Sequence, residues 1–524
     1  MKAHIVGGGF GGLAAAALLI RNAELPGTDI TIYEANEQLG GGFFLGGSAA
    51  SGYNLPGSVF DKEFRCTFEL LKSVPSARNP SVSVTDDFFA FNTSEPYHDR
   101  AHIFDRDGRI VHGPRFGLSL GDGLRLARVV LTPEAMLDGR RIEEFFSPQF
   151  FSTEFWILWS TIMGSLPQHS TIEFRRYMNR FLYLFGHLSD MTGVMRTPLN
   201  QHQNFIEPLV RWLTPHRVNF LTGAFVQDIG FAPLPGRITV NRLDYERSGA
   251  ATSVAVAPED IVLVTTGSQA ADYSAGSMAE APSPRPTGRS WALWQRLAQG
   301  RTDFGDPSVF FGSPRIPDSL WVTFTVTDTG TEFVTQMTAL TSSESGRGGL
   351  VTLKDSPWML SLSVFHQPEI IGQPSGTSIW WGYGLHPERI GEFVQKRMDQ
   401  CTGAEILEET LKQLRFDKQQ LDAITASSIC VPCYVPYVNN VWLPWRRGDM
   451  PPPVPEGATN LGLIGQYVDM PREIAFTIEC SVRSAWEAIR SLLKRGPAPP
   501  PVYQGQFDPK ALFGALKVFL SSPL

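Results

Sequence analysis

A glycine-rich turn near the start of the chain lies between a short apolar run, His4 to Val6, and an alanine- and leucine-rich segment, Leu13 to Arg21. The turn reads Gly7-Gly8-Gly9-Phe10-Gly11-Gly12 and fits the dinucleotide-binding pattern GxGxxG between a strand and a helix. Gly7 permits the tight turn, Gly9 lets the backbone approach a pyrophosphate, and Gly12 lets the helix pack close to the strand. The unpaired N–H groups at the helix N-terminus favour bound phosphate.

An acidic residue follows the turn at the distance that this fold requires. The second apolar run, Ile30 to Tyr33, ends at Glu34, where a carboxylate accepts hydrogen bonds from ribose hydroxyls. The glycines Gly40 to Gly42 come soon afterwards, and the ends of two later strands carry further glycines, which favours FAD over NAD. The predicted cofactor-binding residues are Gly7, Gly9, Gly11, Gly12, Glu34, Gly41, Gly42, Thr266, Gly267, Gly465 and Gln466.

The pattern of apolar residues predicts an α/β protein with a Rossmann-type FAD-binding domain, a mixed-sheet substrate domain and a helical, aromatic-rich subdomain. We assign the FAD-binding domain to residues 1–75, about 195–275 and 456–495, and the helical subdomain to 115–194. The substrate domain takes 76–114 and 276–455, in which Leu320 to Val326, Glu332 to Leu340 and Met359 to Val364 are predicted strands and Glu392 to Leu414 a helical region. A proline-rich linker leads to a tail, 496–524, whose helix puts apolar residues on one face: Leu512, Phe513, Leu516, Phe519 and Leu520. Such a helix can lie in a membrane interface or pack back on the body.

Composition excludes some classes of function. The net charge of −7 and the pI near 5.9 argue against a nucleic-acid-binding protein. The 35 phenylalanines fit either a large aromatic core or a cavity for a long apolar ligand. The five cysteines are too scattered for a disulfide scaffold, and the pair Cys430 and Cys433 lacks the partners of a zinc site, so we expect structural thiols, no metal and a cytoplasmic location.

Several longer motifs resemble the oleate hydratase family, also called the myosin-cross-reactive antigen family. They are Leu463 to Arg472 (LIGQYVDMPR), Ser481 to Ala485, His169-Ser170 leading to Glu173, Arg176-Tyr177 and Arg180-Phe181, and Ser73 to Ser76. These segments occur in the expected order from residue 3 to about 490. The resemblance implies a lyase that adds water across an isolated cis double bond of a long-chain unsaturated fatty acid, with FAD required although there is no net redox change.

The chain departs from that family at both positions where the family carries catalytic groups. Val59 stands where the family has its water-activating Glu, and Leu199 stands where it has its proton-donating Tyr. Neighbouring groups can take over these roles, and we select His202 and Asp61 as candidates, because imidazole exchanges protons near neutral pH. Alternatively, flavin and backbone polarise water with little help from side chains, or the chain catalyses a related reaction such as double-bond isomerisation.

Other expectations concern ligands and partners. Asn439 and Asn440, with Arg446 and Arg447 nearby, resemble the family's carboxylate-recognition region, although an exposed loop explains the arginines equally well. There are two alternative functions. One is a flavin oxidoreductase acting on an apolar substrate, and the other is a flavin-stabilised lipid-binding protein without catalysis. A monomer is slightly favoured over the family's common dimer, because the chain starts directly at its first strand.

Overall fold

A computed structural model describes residues 1–57, 59–96, 101–111, 114–188, 190–347 and 350–520, with only the backbone given at 114–115 and 518–520. Its β-strands, in chain order, are β1 Ala3–Val6, β2 Ile30–Tyr33, β3 Gly46–Ser48, β4 Gly52–Asn54, β5 His102–Phe104, β6 Asn219–Leu221, β7 Ala224–Phe231, β8 Val240–Arg247, β9 Ala250–Ala255, β10 Ile261–Thr265, β11 Ser274–Ala275, β12 Trp321–Asp328, β13 Val351–Leu353, β14 Leu360–Val364, β15 Ser378–Gly384, β16 Ser428–Val435 and β17 Leu461–Ile464. Its α-helices are α1 Phe10–Ala23, α2 Arg65–Leu71, α3 Val84–Ser94, α4 Leu120–Leu131, α5 Glu154–Met163, α6 Thr171–Arg180, α7 Glu207–Leu213, α8 Arg289–Ala298, α9 Glu332–Thr341, α10 Gly403–Gln413, α11 Lys418–Ser427, α12 Ile478–Leu493 and α13 Pro509–Leu520.

A five-stranded parallel sheet organises the first part of the fold. Its strand order is β17-β10-β1-β2-β6, and every pair is parallel. The last residue of β1, Val6, lies opposite Tyr33 of β2 and Val264 of β10, so the carboxyl ends of the central strands meet at one edge. Helices α1 and α12 pack together on this sheet, where their small residues allow close contact. This arrangement confirms the predicted Rossmann-type α/β fold.

A seven-stranded mixed sheet has the order β11-β16-β12-β15-β14-β13-β5, antiparallel except where β13 meets β5. The chain that follows the glycine-rich segments near the N-terminus runs onto this sheet. The backbone N–H of Tyr53 donates to Oγ1 of Thr327 at 2.8 Å, and that of Leu55 to Oγ1 of Thr325 at 3.4 Å. Residues 53–55 therefore lie directly over β12 and connect the two sheets.

Two secondary-structure predictions in this region are wrong. The predicted strand Glu332 to Leu340 is the helix α9, because Phe333 and Met337, four residues apart, are its buried residues. The ring of Phe333 stacks on Trp380 of β15 at 4.1 Å between centroids. The predicted helical region from Glu392 begins as a helix only at Gly403, after a capping box in which Thr402 accepts from the Glu405 backbone.

The aromatic residues of the helical region form a core. Phe150, Phe155, Trp156 and Trp159 are buried together with α6 and with the segment around Trp442. These rings, together with Phe174, meet in tilted and stacked pairs at 5.6–6.2 Å, the separations typical of packed aromatic clusters. These aromatic residues thus form a packed core, which is one of the two interpretations that the composition left open.

Candidate functional site

The glycine turn lies at the carboxyl edge of the parallel sheet. Gly7 has φ of +105°, and its N–H donates to the carbonyl of Tyr33 at 2.8 Å. A Cβ on Gly12 would lie 1.9 Å from the carbonyl oxygen of Gly7, so only glycine allows α1 to start this close to the strand. Helix α1 begins after Gly9 with no side-chain cap and no acidic residue in its first turn. Its N-terminal N–H groups therefore favour an anion.

Glu34 follows β2 at the same edge and is held by the turn. Its Oε2 accepts from the N–H of Gly8 at 2.7 Å, and its Oε1 accepts from the N–H of Asn36 at 2.8 Å. The residue is 6 % exposed. Oε1 also accepts from Nδ2 of Asn36 at 2.9 Å, whereas Oε2 keeps a further lone pair with which it can accept from a ribose hydroxyl.

The second group of glycines faces the first. The N–H of Gly40 donates to the carbonyl of Gly8 at 2.9 Å, and Gly41 has φ of +58°. A Cβ on Gly9 would lie 3.7 Å from Cα of Gly41, and a Cβ on Gly41 would lie 3.1 Å from Cα of Gly9. The two segments form what we call the glycine cradle, residues 7–12 and 40–42. Any side chain at Gly9 or Gly41 would fill it, so the cradle fits a ligand approached by bare backbone, as a dinucleotide pyrophosphate is.

The ends of β10 and β17 complete this edge of the sheet. Oγ1 of Thr266 donates to the carbonyls of Ile464 and Tyr467, each at 3.3 Å, and Gly465 has φ of +109°. Gly267 adopts φ of +63° against Trp291, where a Cβ would lie 2.7 Å from the indole. Thr266, Gly267 and Gly465 thus shape the turn next to the cradle, and Gln466 follows them, half-buried. Gly11 packs against Ser481 of α12, and Gly42 against Ala270.

His202 contacts the glycine cradle. It begins a π-helical turn, His202–Ile206, a distortion frequent at functional sites. Its Nδ1 lies 2.8 Å from the carbonyl oxygen of Phe43, and because a carbonyl only accepts, Nδ1 carries the proton. Nε2 is then the acceptor nitrogen, while the Nδ1 edge of the ring lies beside Gly40, where a Cβ would lie 3.4 Å from Nδ1.

Val59 and Leu199 differ in their exposure to solvent. Val59 is 45 % exposed, whereas Leu199 is 4 % exposed and precedes the polar turn that carries His202. Ser58, which lies beside Val59 in the stretch Leu55 to Phe60, falls outside the described residues. Neither apolar side chain can transfer a proton, so any acid or base at this site comes from other residues.

Asp61 lies in a buried network of charges. Its Oδ1 accepts from the Tyr183 hydroxyl at 2.6 Å and from the N–H of Glu63 at 2.7 Å. Burial raises the pKa of Asp61, while nearby Arg180 opposes the rise. Tyr183 and Arg180 give this carboxyl a structural environment, so the geometry favours His202 over Asp61 as the proton-exchanging candidate.

The same network joins distant parts of the chain, and sequence analysis did not anticipate it. Arg180 of α6 pairs with Glu473 at 3.2 Å, and Glu473 also pairs with Arg483 of α12 at 2.7 Å. Arg483 reaches Glu479 at 2.9 Å, whose carboxylate accepts from the N–H of Cys66 at the start of α2. These residues are nearly inaccessible to solvent, so each charge depends on its partner.

The predicted carboxylate-binding amides are bonded to the protein itself. Nδ2 of Asn439 donates to the carbonyl of Gly164 at 2.5 Å, and Nδ2 of Asn440 donates to that of Phe310 at 2.8 Å. The hydroxyl of Tyr467 donates to Oδ1 of Asn440. These contacts give both amides a structural role, and the prediction that they bind a substrate carboxylate gains no support from the geometry.

The CxxC pair is buried in β16. The thiol of Cys433 donates to Oδ1 of Asn54 at 3.2 Å, and burial raises its pKa to about 12. Burial likewise raises the pKa of Cys430. Both groups therefore remain neutral thiols in a packed strand, as expected of structural cysteines.

Sequence analysis also missed the loop 365–377, which lies against the turn of His202. The N–H and the Nδ2 of Asn200 donate to the carbonyl of Glu369 at 2.9 and 3.0 Å. The N–H of Ile371 donates to Oε1 of Gln203 at 2.9 Å. Nothing in the Pro-Glu-Ile-Ile sequence marks it as functional, because its partners lie far away in the chain.

The fold is similar to those of two solved oxidases. Cyclohexylamine oxidase from Brevibacterium oxydans matches with a TM-score of 0.53 at 14% identity, covering 94% of this chain and 98% of that one. A putrescine oxidase matches with a TM-score of 0.55 at 10% identity, covering 94% and 99%. At these identities the likeness concerns the fold.

Two other proteins are more similar to this chain in sequence. The chain is 31% identical over 539 aligned residues to an oleate hydratase of Streptococcus pyogenes, covering 98% of this chain and 89% of that protein. It is 28% identical over 530 residues to a linoleate hydratase of Lactiplantibacillus plantarum, covering 92% of each. The model of the MCRA family matches residues 1–489. The chain therefore belongs to the MCRA family.

Proposed function

We propose that this chain is an FAD-dependent hydratase that adds water across a cis double bond of a long-chain unsaturated fatty acid, as from oleate to a hydroxystearate, without net redox change. The similarity to the two hydratases over almost the whole chain supports the reaction class. The observation that carries the proposal is the position of His202 beside the glycine cradle, with Nδ1 bonded to the Phe43 carbonyl so that Nε2 is the acceptor nitrogen.

The glycine cradle, Glu34 and the N-terminus of α1 would hold FAD. Their features fit it: bare backbone where a pyrophosphate needs close approach, a buried carboxylate for the ribose, and a helix N-terminus free of acidic residues. When bound, the flavin would supply electrostatic stabilisation of the positive charge that develops on the substrate.

Hydration of an isolated alkene needs an acid and a base on either side of the double bond. The alkene is a weak base, so a positioned acid must protonate one carbon while a base takes a proton from the water that adds to the other. Nε2 of His202 acts as the base. The acid is not at position 199, because Leu199 has no proton to give.

The test is anaerobic incubation of the FAD-loaded protein with oleate in ¹⁸O-labelled water, with product mass and flavin absorption read together. A hydratase yields a product heavier by one labelled water while the flavin spectrum is unchanged at the end. Flavin bleaching with an oxidised product would refute the proposal in favour of an oxidoreductase. Unchanged oleate and linoleate would refute it in favour of another substrate or of binding alone.

We further propose that the tail helix α13 brings the protein to a membrane surface, where its substrates partition. Ala511 packs α13 against the segment 182–187, while Leu512, Phe513 and Leu516 point outward, 47–71 % exposed. The side chains of Phe519 and Leu520 and residues 521–524 lie outside the described part. Of the helices described, none is long and apolar enough to cross a bilayer. A helix with its large apolar residues outward fits a bilayer interface.

A further inference from the structure

The loop 365–377 lies between the two segments that carry Val59 and Leu199. On one side, Ile370 packs in an apolar cluster with Leu55 and Tyr53, which precede Val59. On the other side, Glu369 and Ile371 are hydrogen-bonded to Asn200 and Gln203, as described above. The loop therefore lies next to both of the segments that carry residues 59 and 199.

Side-chain hydrogen bonds hold this loop in one conformation. Oε1 of Gln373 accepts from the N–H of Glu369 at 2.8 Å. Nε2 of Gln373 donates to Oε1 of Gln367 at 2.6 Å and to the carbonyl of Thr377 at 2.7 Å. Gln367 in turn donates to the carbonyl of Ile379 in β15 at 2.8 Å. The backbone at Glu369 is thus fixed from both sides, which is what a group acting on a substrate requires.

The carboxyl group of Glu369 is buried without a partner. The residue is 4 % exposed, and within the ranges given above no group donates a hydrogen bond to its carboxyl oxygens and no cation pairs with them. Burial raises the pKa of Glu369 well above its ordinary value, opposed by the charge of Arg196 on the neighbouring segment. Burial therefore favours the protonated carboxyl over the carboxylate. A buried acid without a structural partner is a frequent mark of a functional group.

We propose that Glu369 is the catalytic acid of the hydration, a role that rests on the proposed function. Its O–H bond breaks as the π electrons of the alkene form a C–H bond with the proton, and water adds through oxygen to the other alkene carbon. The proton that this water releases goes to Nε2 of His202. Exchange with solvent returns a proton to Glu369 and removes one from His202, so the net change is the addition of one water.

The apolar surroundings of Glu369 suit this substrate. Leu55, Ile370 and Ile379 form a buried cluster beside the loop that carries Glu369, with Leu45 and Phe365 packed against it. An acyl chain beside this cluster would keep water away from the acid, which favours its protonated form before the proton is transferred.

The substitution Glu369→Gln tests the proposal in the FAD-loaded protein with oleate. The amide keeps the size of the side chain but has no acidic proton, so we expect kcat to fall by about 10²- to 10⁴-fold, with KM changed by less than about threefold. The matched control is Glu173→Gln, which removes another buried carboxyl, 1 % exposed, in α6 within the aromatic core, and should keep kcat within about threefold. Flavin binding should be unchanged in both.

Two further readouts separate proton donation from a structural role. In the wild type, kcat should fall as pH rises through the pKa of Glu369, because only the protonated acid donates; the other charged group facing it, Arg196, does not titrate in this range. In Glu369→Gln this alkaline limb should be absent. Difference infrared spectroscopy of wild type against Glu369→Gln should show the carbonyl stretch of a protonated carboxylic acid at neutral pH.

The outcomes distinguish this proposal from the proposed function. A wild type that hydrates no unsaturated fatty acid refutes both. A wild type that hydrates oleate while Glu369→Gln does so equally well, or shows no protonated-acid band, refutes only the role of Glu369. If Glu369→Gln does not fold, Glu369→Asp decides: it keeps an acid that is drawn back by one methylene, so an unchanged kcat with an unchanged pH profile would overturn the proposal.

Discussion

Gly9→Ala separates cofactor binding from folding, because Gly9 has room for a methyl group until a ligand occupies the cradle. Its φ of −74° and ψ of −176° are open to alanine, and the new Cβ would lie 3.7 Å from Cα of Gly41, an ordinary contact. Alanine is a poorer N-cap than glycine by roughly 0.5–1 kcal/mol. It also reduces the entropy of the unfolded chain, which stabilises by about 0.4–1 kcal/mol. The free energy of unfolding of the apo-protein should therefore change by less than about 1 kcal/mol.

The effect on FAD should be much larger. The methyl group stands where a pyrophosphate approaches the backbone, and loss of one charge-assisted hydrogen bond costs about 1.5–3 kcal/mol. That corresponds to a Kd for FAD raised by about 10- to 150-fold. The assay is titration of apo-protein with FAD, followed by quenching of flavin fluorescence, together with urea unfolding of the apo-protein.

Two other glycines serve as comparisons. Gly121→Ala, in the first turn of α4, places its Cβ 3.4 Å from the flexible guanidinium of Arg125 and should leave both FAD affinity and stability unchanged. Gly12→Ala forces a Cβ to 1.9 Å from the Gly7 carbonyl and should destabilise the apo-protein outright. The reasoning is refuted if Gly9→Ala binds FAD as tightly as the wild type, or if it unfolds like Gly12→Ala.

Three further outcomes are expected. His202→Gln can keep the hydrogen bond to the Phe43 carbonyl but cannot accept a proton at physiological pH, so kcat should fall about 10²- to 10⁴-fold; an undiminished steady-state rate would exclude His202 as the base. Glu473→Gln leaves buried arginines without their charge partner and should lower the free energy of unfolding by about 3–5 kcal/mol, measured by urea denaturation; an unchanged transition midpoint would contradict this. Replacing Leu512, Phe513 and Leu516 with serine should abolish cosedimentation with anionic phospholipid vesicles while changing the free energy of unfolding by less than about 0.5 kcal/mol each. Vesicle binding equal to that of the wild type would show that α13 is not the membrane contact.

The parallel sheet could be predicted because its signals are local. The turn from Gly7 to Gly12 and the acidic residue Glu34 carry their meaning within about 30 residues, and the structure places both at one edge of the sheet. The helix α9 could not be predicted in this way. Its β-branched residues favour a strand, and what decides against it is the fit of Phe333 onto Trp380, a contact made only in the folded protein.

The residues of the candidate site likewise fall into two groups: those that the sequence indicates and those that only the structure shows. His202 was recognisable because it follows the position of a missing family residue, but the direction of its proton became clear only from the Phe43 carbonyl. Glu369 and the ion pairs of Glu473 carried no signal, since burial and partnership depend on residues hundreds of positions away. A carboxylate in a sequence is usually a surface group, and only the packed structure shows which ones water cannot reach.

The order of strands in the parallel sheet has a consequence for biosynthesis. β1 and α1 leave the ribosome before the rest of their sheet, yet α1 packs on α12, and the edge strand β17 comes from residues 461–464. At ~5–20 residues per second, roughly 20 to 90 s pass between the two. Throughout that interval the buried face of α1, which includes Leu13, Leu18 and Leu19, and the outer edge of β10 lack their native cover. Nascent chains of this protein should thus need chaperone protection until β17 and α12 have been translated, and truncation before residue 461 should yield aggregates rather than a stable N-terminal domain.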